Sequence, residues 1–112
     1  MLPESKKLLF DMREAARAIA AFAHGQSAAD LERDDLLRSA IYYQFVIIGE
    51  ALSKLQQRDQ ATAEALSEYK RIIGFRNQII HGYAMLDHET TWRIVEAKIP
   101  TLIRELDELL AR

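Results

Sequence analysis

Apolar residues along this chain recur three and four positions apart rather than in alternation, the period of amphipathic helix. Leu8, Leu9, Met12, Ala15, Ala16, Ile19, Phe22 and Ala23 draw one buried stripe on a first helix over about residues 4–23. His24-Gly25-Gln26-Ser27 reads as its stop, with His24 at the negative helix end, and Ser27 and Asp34 are the next cap candidates. A long second helix follows over about residues 34–57, with Leu36, Leu37, Ala40, Ile41, Ile47, Ile48, Ala51, Leu52 and Leu55 facing the core. Tyr42, Tyr43, Phe45 and Val46 carry apolar surface almost around it. A helix of that kind buries against more than one neighbour, either as the centre of a bundle or at a subunit interface.

Residues 59–68 are polar and alanine-rich and read as a connection with a helical turn. A third helix spans about residues 67–80, with Tyr69, Ile72, Ile73, Ile79 and Ile80 as its apolar set and Gly82 as its stop. A fourth starts near Asp87 or His88 and carries Trp92, Val95, Ile99, Leu102, Ile103, Leu106, Leu109 and Leu110. Pro100 kinks or divides it, because the ring removes a backbone donor and clashes with the preceding turn. The expected fold is all-α: an up-and-down bundle of four to five helices in a single domain over residues 1–112.

Composition narrows the function. With 112 residues, 49% of them hydrophobic and 29% charged, the chain has enough apolar surface for one ordinary core. Its zero cysteines exclude a disulfide framework, a thiolate metal site and a cysteine nucleophile, and fit a reducing cytoplasm. No apolar run approaches the roughly 18 residues that span a bilayer, and the first residues lack a secretion-signal layout, so a cytoplasmic protein with no membrane partner is expected. A net charge of −2 excludes holding nucleic acid by overall positive charge.

One window departs from that balance. Residues 69–86 hold Lys70, Arg71 and Arg76 and no carboxylate, a local charge of +3 that leaves −5 for the rest of the chain. Such asymmetry suggests an anion-binding face, although Lys70 and Arg71 would also serve simply to solubilise a helix. Within the window, Asn77 and His81 lie one helical turn apart, and Arg76 and Tyr83 fall nearly on one line two turns apart. Arg76 and His81 differ by five positions, about 140° around a helix, so they share no stripe. A long arginine or a second subunit is needed to bring both to one phosphate, a geometric reason to expect a homodimer.

Metal-free RNA cleavage suits this set. An imidazole with an ordinary pKa of about 6.5 can take a proton from a ribose 2′-hydroxyl or return one to a leaving oxygen. A permanently charged guanidinium forks onto two phosphate oxygens as charge builds there, and Asn77 can orient the imidazole or touch the phosphate. On residue type alone, a satisfied pair or a capping residue is the alternative. Glu50, in a mostly apolar helix beside Gly49, calls for a partner such as Arg76 or a backbone donor and is a supporting candidate, unless it faces solvent. His81, Asp87, His88 and Glu89 invite a metal reading, but the histidines are seven apart across a turn, unlike an i, i+4 zinc pair, and no metal or cofactor is expected. Tyr42, Tyr43 and Phe45 offer base stacking or, more simply, interface packing.

The string from Arg76 to Tyr83, Arg-Asn-x-x-x-His-Gly-Tyr, resembles the Arg-x4-His-x-Tyr motif of the HepT-like toxins of the HEPN superfamily. Ile47-Ile48-Gly49-Glu50-Ala51-Leu52, the approach from Tyr69 to Phe75, Leu86-Asp87, Trp92-Arg93-Ile94-Val95 and Pro100 resemble its other segments, whereas Tyr42-Tyr43-Gln44-Phe45 stands where a charged residue is common. The likeness covers most of the chain. It implies a helical homodimer acting as a metal-independent endoribonuclease toxin, with Arg76 and His81 as the active pair in an interface cleft and Asn77 grouped with them. It also implies an MntA-like nucleotidyltransferase antitoxin that uses ATP to attach AMP to Tyr83, whose added phosphate charge would block RNA. Without the resemblance, Tyr83 reads as a packing residue at a helix end. A non-catalytic HEPN dimer that docks a nucleotidyltransferase or nucleotide is the alternative reading of the whole.

Overall fold

A computed structural model describes residues 1–112, and every regular element in it is helical. Helix α1 (Pro3–Ala23) begins on a proline, whose fixed φ and missing N–H suit a first turn, and stops where Gly25 takes a φ of 74°. Helix α2 (Ala28–Arg33) is set by a reciprocal cap: Ser27 Oγ accepts from the Asp30 N–H, and the Asp30 carboxylate accepts from the Ser27 N–H at 2.9 Å. Asp34 opens α3 (Asp35–Arg58) by accepting the Leu37 N–H at 3.1 Å.

The polar connection forms a short α4 (Gln60–Glu64), capped by Asp59. Asp59 also accepts the hydroxyls of Ser5 and Thr62, both at 2.7 Å, so one carboxylate ties the start of α1 to the end of α3. Helix α5 (Tyr69–Gly82) follows and runs into a 3₁₀ turn at Tyr83–Met85. Asp87 then caps α6 (His88–Ala97), accepting the Glu89 N–H and the Thr90 hydroxyl. Pro100 divides the last expected helix in two, and α7 (Ile99–Leu110) starts at its ring. Five longer helices, with two short ones between them, fulfil the expected bundle.

Helix α3 is the axis of the molecule, with α1 packed on one side and α5 on the other; α7 lies along α1, and α6 rests on α2 and α7. The expected stripes mostly close on one core: Leu9, Met12 and Ile19 meet Ile41, Ile48, Leu52 and Leu55, with Leu102 and Leu106 completing it. Three expected core residues are instead exposed. Phe22 is at the edge of the α1 stripe, in the last turn, and is exposed. Ile80, at the edge of α5 beyond the reach of α3, is exposed as well. Leu36 is 81% exposed in the first turn of α3, where no neighbouring helix covers it. No helix is long and apolar enough to cross a membrane.

The capping carboxylates make stability depend on acid. Hydrogen bonds to Arg33 and Ser27 at Asp30, to Ser5 and Thr62 at Asp59, and to Thr90 at Asp87 hold all three below the ordinary 3.8. Groups depressed in the folded state stabilise fully above 3.8 and lose that contribution as pH falls through their folded values. Urea midpoints should therefore be flat near neutrality and fall steeply below pH 3.8. Asp59→Asn should lower the neutral midpoint and flatten the acid limb.

Candidate functional site

Helix α5 lies on α3 through Ile79, which is buried, and through Tyr69, Ile72 and Phe75, which are half-buried. The Phe75 ring meets Phe45 edge-on at 5.1 Å between centroids and sits 6.4 Å from Tyr42. One turn further along α3, Gly49 meets Arg76. A Cβ at Gly49 would stand 2.2 Å from the Arg76 Cβ and 2.6 Å from its Cγ, so only hydrogen fits there. This contact sets the separation of the two helices and leads the arginine stem across α3.

The Arg76 side chain is consequently only 16% exposed, and its Nη1 lies 3.7 Å from Glu50 Oε1. Glu50 thus has the partner expected of it. The pair is loose, with no hydrogen bond within it and the carboxylate 51% exposed, and such pairs contribute less than about 1 kcal/mol. Arg76 Nε is buried with no acceptor, a cost of about 1–3 kcal/mol for an unmatched donor. The guanidinium is therefore held in place without being saturated.

Asn77 and His81 point the other way. They lie with Lys70 and Gly74 on the outer face of α5, all exposed, and neither the Asn77 nor the His81 side chain makes a hydrogen bond or ion pair. Within one chain Arg76 and His81 occupy different environments, as their angular separation requires. Tyr83 is 75% exposed, but it does not continue the line of Arg76: Gly82, at φ −143° and ψ 35°, ends the helix, and the 3₁₀ turn rotates the tyrosine off that phase. The two other cations separate as well. Lys70 lies over the Tyr69 ring at 5.9 Å, whereas Arg71 turns to the far side of α5, where its Nε is 3.6 Å from Glu68.

A helix with a buried, incompletely paired arginine and an accessible imidazole five residues later can be compared with known proteins. The family model described as "Ribonuclease HepT-like" matches residues 12–109. The chain belongs to that family. Among its relatives are two proteins of Methanocaldococcus jannaschii. "Putative RNase MJ1380" is 28% identical over 91% of this chain and 93% of its own length, and "Putative RNase MJ0127" is 26% identical over 94% and 86%. "Putative RNase TTE0752" of Caldanaerobacter subterraneus is 28% identical over 79% of this chain and 78% of its own length. No solved structure matches the chain.

The HepT-like chain secures the segment after α5 by a contact not anticipated from the sequence. Buried Tyr42 of α3 places its hydroxyl 2.8 Å from His88 Nδ1 and 2.7 Å from Thr91 Oγ1, at the start of α6. Thr91 Oγ1 lies 3.3 Å from the Asp87 carbonyl. A chain in which His88 donates to Tyr42, Tyr42 to Thr91 and Thr91 to the carbonyl satisfies every group. Burial pushes the Tyr42 hydroxyl above its ordinary 10.0, keeping it protonated. His88 and Asp87, weighed above as metal ligands, are thereby engaged in a clamp and a cap. The available signal was a threonine and a tyrosine hydroxyl at core positions of two separate helices.

The close approach at Gly49 is directly testable. Gly49→Ala should destabilise the fold by about 1–3 kcal/mol in urea unfolding, because backbone-anchored atoms of α5 must move. Gly74→Ala, with nothing within 4 Å of the new methyl, should stabilise by about 0.5–1 kcal/mol as helix entropy alone decides.

Proposed function

We propose that this chain is a metal-independent endoribonuclease, active as a homodimer, and the toxin of a type VII-like toxin–antitoxin pair. The observation that carries the reading is α5 itself. It is a carboxylate-free helix in a HepT-like chain, and it holds Arg76 against Glu50 while presenting Asn77 and His81 to solvent. In this reading His81 removes the proton of a ribose 2′-hydroxyl. The resulting oxygen attacks the adjacent phosphorus, the bond to the 5′-oxygen breaks, and the departing oxygen takes up a proton. Arg76 binds the phosphate as its charge grows, and Asn77 steadies the imidazole or the phosphate. Glu50 is a positioning residue beside the guanidinium on α3, Lys70 extends the cationic surface for RNA on the Asn77 and His81 face, and Arg71 adds its charge from the other side of α5.

The separation of Arg76 and His81 within a chain supports the dimer. A second copy laid along the exposed side of α3 and the end of α5 would cover Leu36, Tyr43 and Ile80, and would set the His81 of one subunit across from the Arg76 of the other. Tyr83 stands exposed at the end of the same helix, accessible to an MntA-like nucleotidyltransferase antitoxin. Its phenolic oxygen would attack the α-phosphorus of ATP, pyrophosphate would leave, and the bound AMP would place negative charge where RNA must enter.

Purified protein should cleave RNA in EDTA, and Arg76→Ala and His81→Ala should each lower kcat/KM by at least about 100-fold without loss of helix content. A divalent-metal requirement, or full activity in His81→Ala, would overturn the mechanism. If no form cleaves RNA, and the protein and Arg76→Ala bind the nucleotidyltransferase equally well, the non-catalytic docking dimer is the correct reading.

Intact mass after co-expression with an adjacent nucleotidyltransferase should show discrete AMP increments that disappear in Tyr83→Phe. An unmodified mass beside an active partner would remove the AMP step.

A further inference from the structure

Two glycines lie inside helices, Gly49 in α3 and Gly74 in α5, and contacts within the molecule account for only one of them. Gly49 is required by the Arg76 stem, whereas a Cβ at Gly74 would meet no atom within 4 Å. The backbone does not require a glycine there either, since Gly25 alone takes a positive φ. Gly74 is exposed in the interior of α5, where glycine costs roughly 0.5–1 kcal/mol relative to alanine. Nothing within the chain offsets that cost.

The positions around Gly74 suit a polyanion. Its neighbours on the helix surface are Lys70 and Arg71 one turn before and Asn77 and Gln78 one turn after. All four are exposed, and none is apolar or acidic. Arg71 turns away to Glu68, 3.6 Å from its Nε, which leaves Lys70 as the cation beside the notch. Lys70 makes no ion pair and lies only over the Tyr69 ring, at 5.9 Å. Gly74 also shares its stripe with His81, and the helical rise sets the two about 10.5 Å apart.

We propose that the ribose-phosphate backbone of a bound RNA strand lies against α5 at Gly74, with one phosphate at Lys70 and the strand running past Asn77 to the bond cut at His81. With no side chain at position 74 the strand comes down onto the helix, and the Lys70 ammonium reaches a phosphate that a larger residue would lift away. That phosphate is a nucleotide or two from the scissile one, so the notch selects for length and not for sequence. This inference deepens the ribonuclease reading and rests on it.

The test compares a ten-nucleotide RNA with a dinucleotide, too short to span from His81 to Gly74, in the full chain and in Gly74→Leu. A leucine there meets solvent and favours helix, so the variant should fold with a higher urea midpoint. The ratio of kcat/KM for the longer RNA to that for the dinucleotide should fall about tenfold, as for the loss of one hydrogen bond to a charged group. Lys70→Ala should lower the ratio alike. It should also reduce by about 0.7 the salt slope of binding to a ten-nucleotide 2′-O-methyl strand, which cannot be cut, as for one phosphate of a single strand. The double variant should lose little more, because both substitutions disrupt one contact. An unchanged ratio in Gly74→Leu or an unchanged salt slope in Lys70→Ala overturns the inference and leaves the ribonuclease reading standing. So does a change of oligomeric state in Gly74→Leu, which would assign the notch to a contact between copies. A chain that cuts neither RNA overturns the ribonuclease reading, and this inference with it.

Discussion

Where α5 crosses α3, the space between Gly49 and Arg76 admits a hydrogen atom and nothing larger. The position of the candidate site follows from that contact. It brings α5 close enough for Phe75 to pack against Phe45, and it turns the arginine stem across α3 toward Glu50. The same register directs the opposite face of α5, with Asn77 and His81, into solvent. A glycine in the middle of a helix costs roughly 0.5–1 kcal/mol of backbone entropy relative to alanine. Here that cost is offset by a helix contact that no other residue permits.

The remaining elements hold this crossing in place through polar contacts at its ends. Asp59 joins the start of α1 to the end of α3, just before the chain turns back into α5. Tyr42 fastens the beginning of α6 to α3, just after the chain leaves α5 and its 3₁₀ turn. Between these two anchors α5 rests chiefly on α3. It thus combines a defined position with a flank that carries few close contacts.

Much of this was legible in the chain. The 3.6-residue period located all five longer helices, Ser27, Asp34 and Asp87 serve as the caps they were read to be, and Pro100 divides the last helix. Glu50 was read either as a partner of Arg76 or a backbone donor or as a solvent-facing residue; it lies 3.7 Å from Arg76 and is also 51% exposed. Leu36, Phe22 and Ile80 were misplaced into the core, because periodicity reports which face of a helix is apolar and not whether a neighbour covers it. Tyr83 was placed in line with Arg76 on the assumption that the helix continues past Gly82, which it does not.

The amino-acid order by itself determined what depends on neighbours within a turn or two: helix positions, caps, breaks, the cation-rich window and the angle of about 140° that separates Arg76 from His81. Those properties are set by backbone hydrogen bonding and side-chain spacing inside one segment. Only the tertiary structure decided which helices touch, that a glycine and an arginine 27 positions apart share one crossing, and that a tyrosine of α3 clamps α6. It also decided that α5 packs chiefly on α3. Such contacts join residues distant along the chain, and close packing of whole surfaces selects them; no local pattern records that selection.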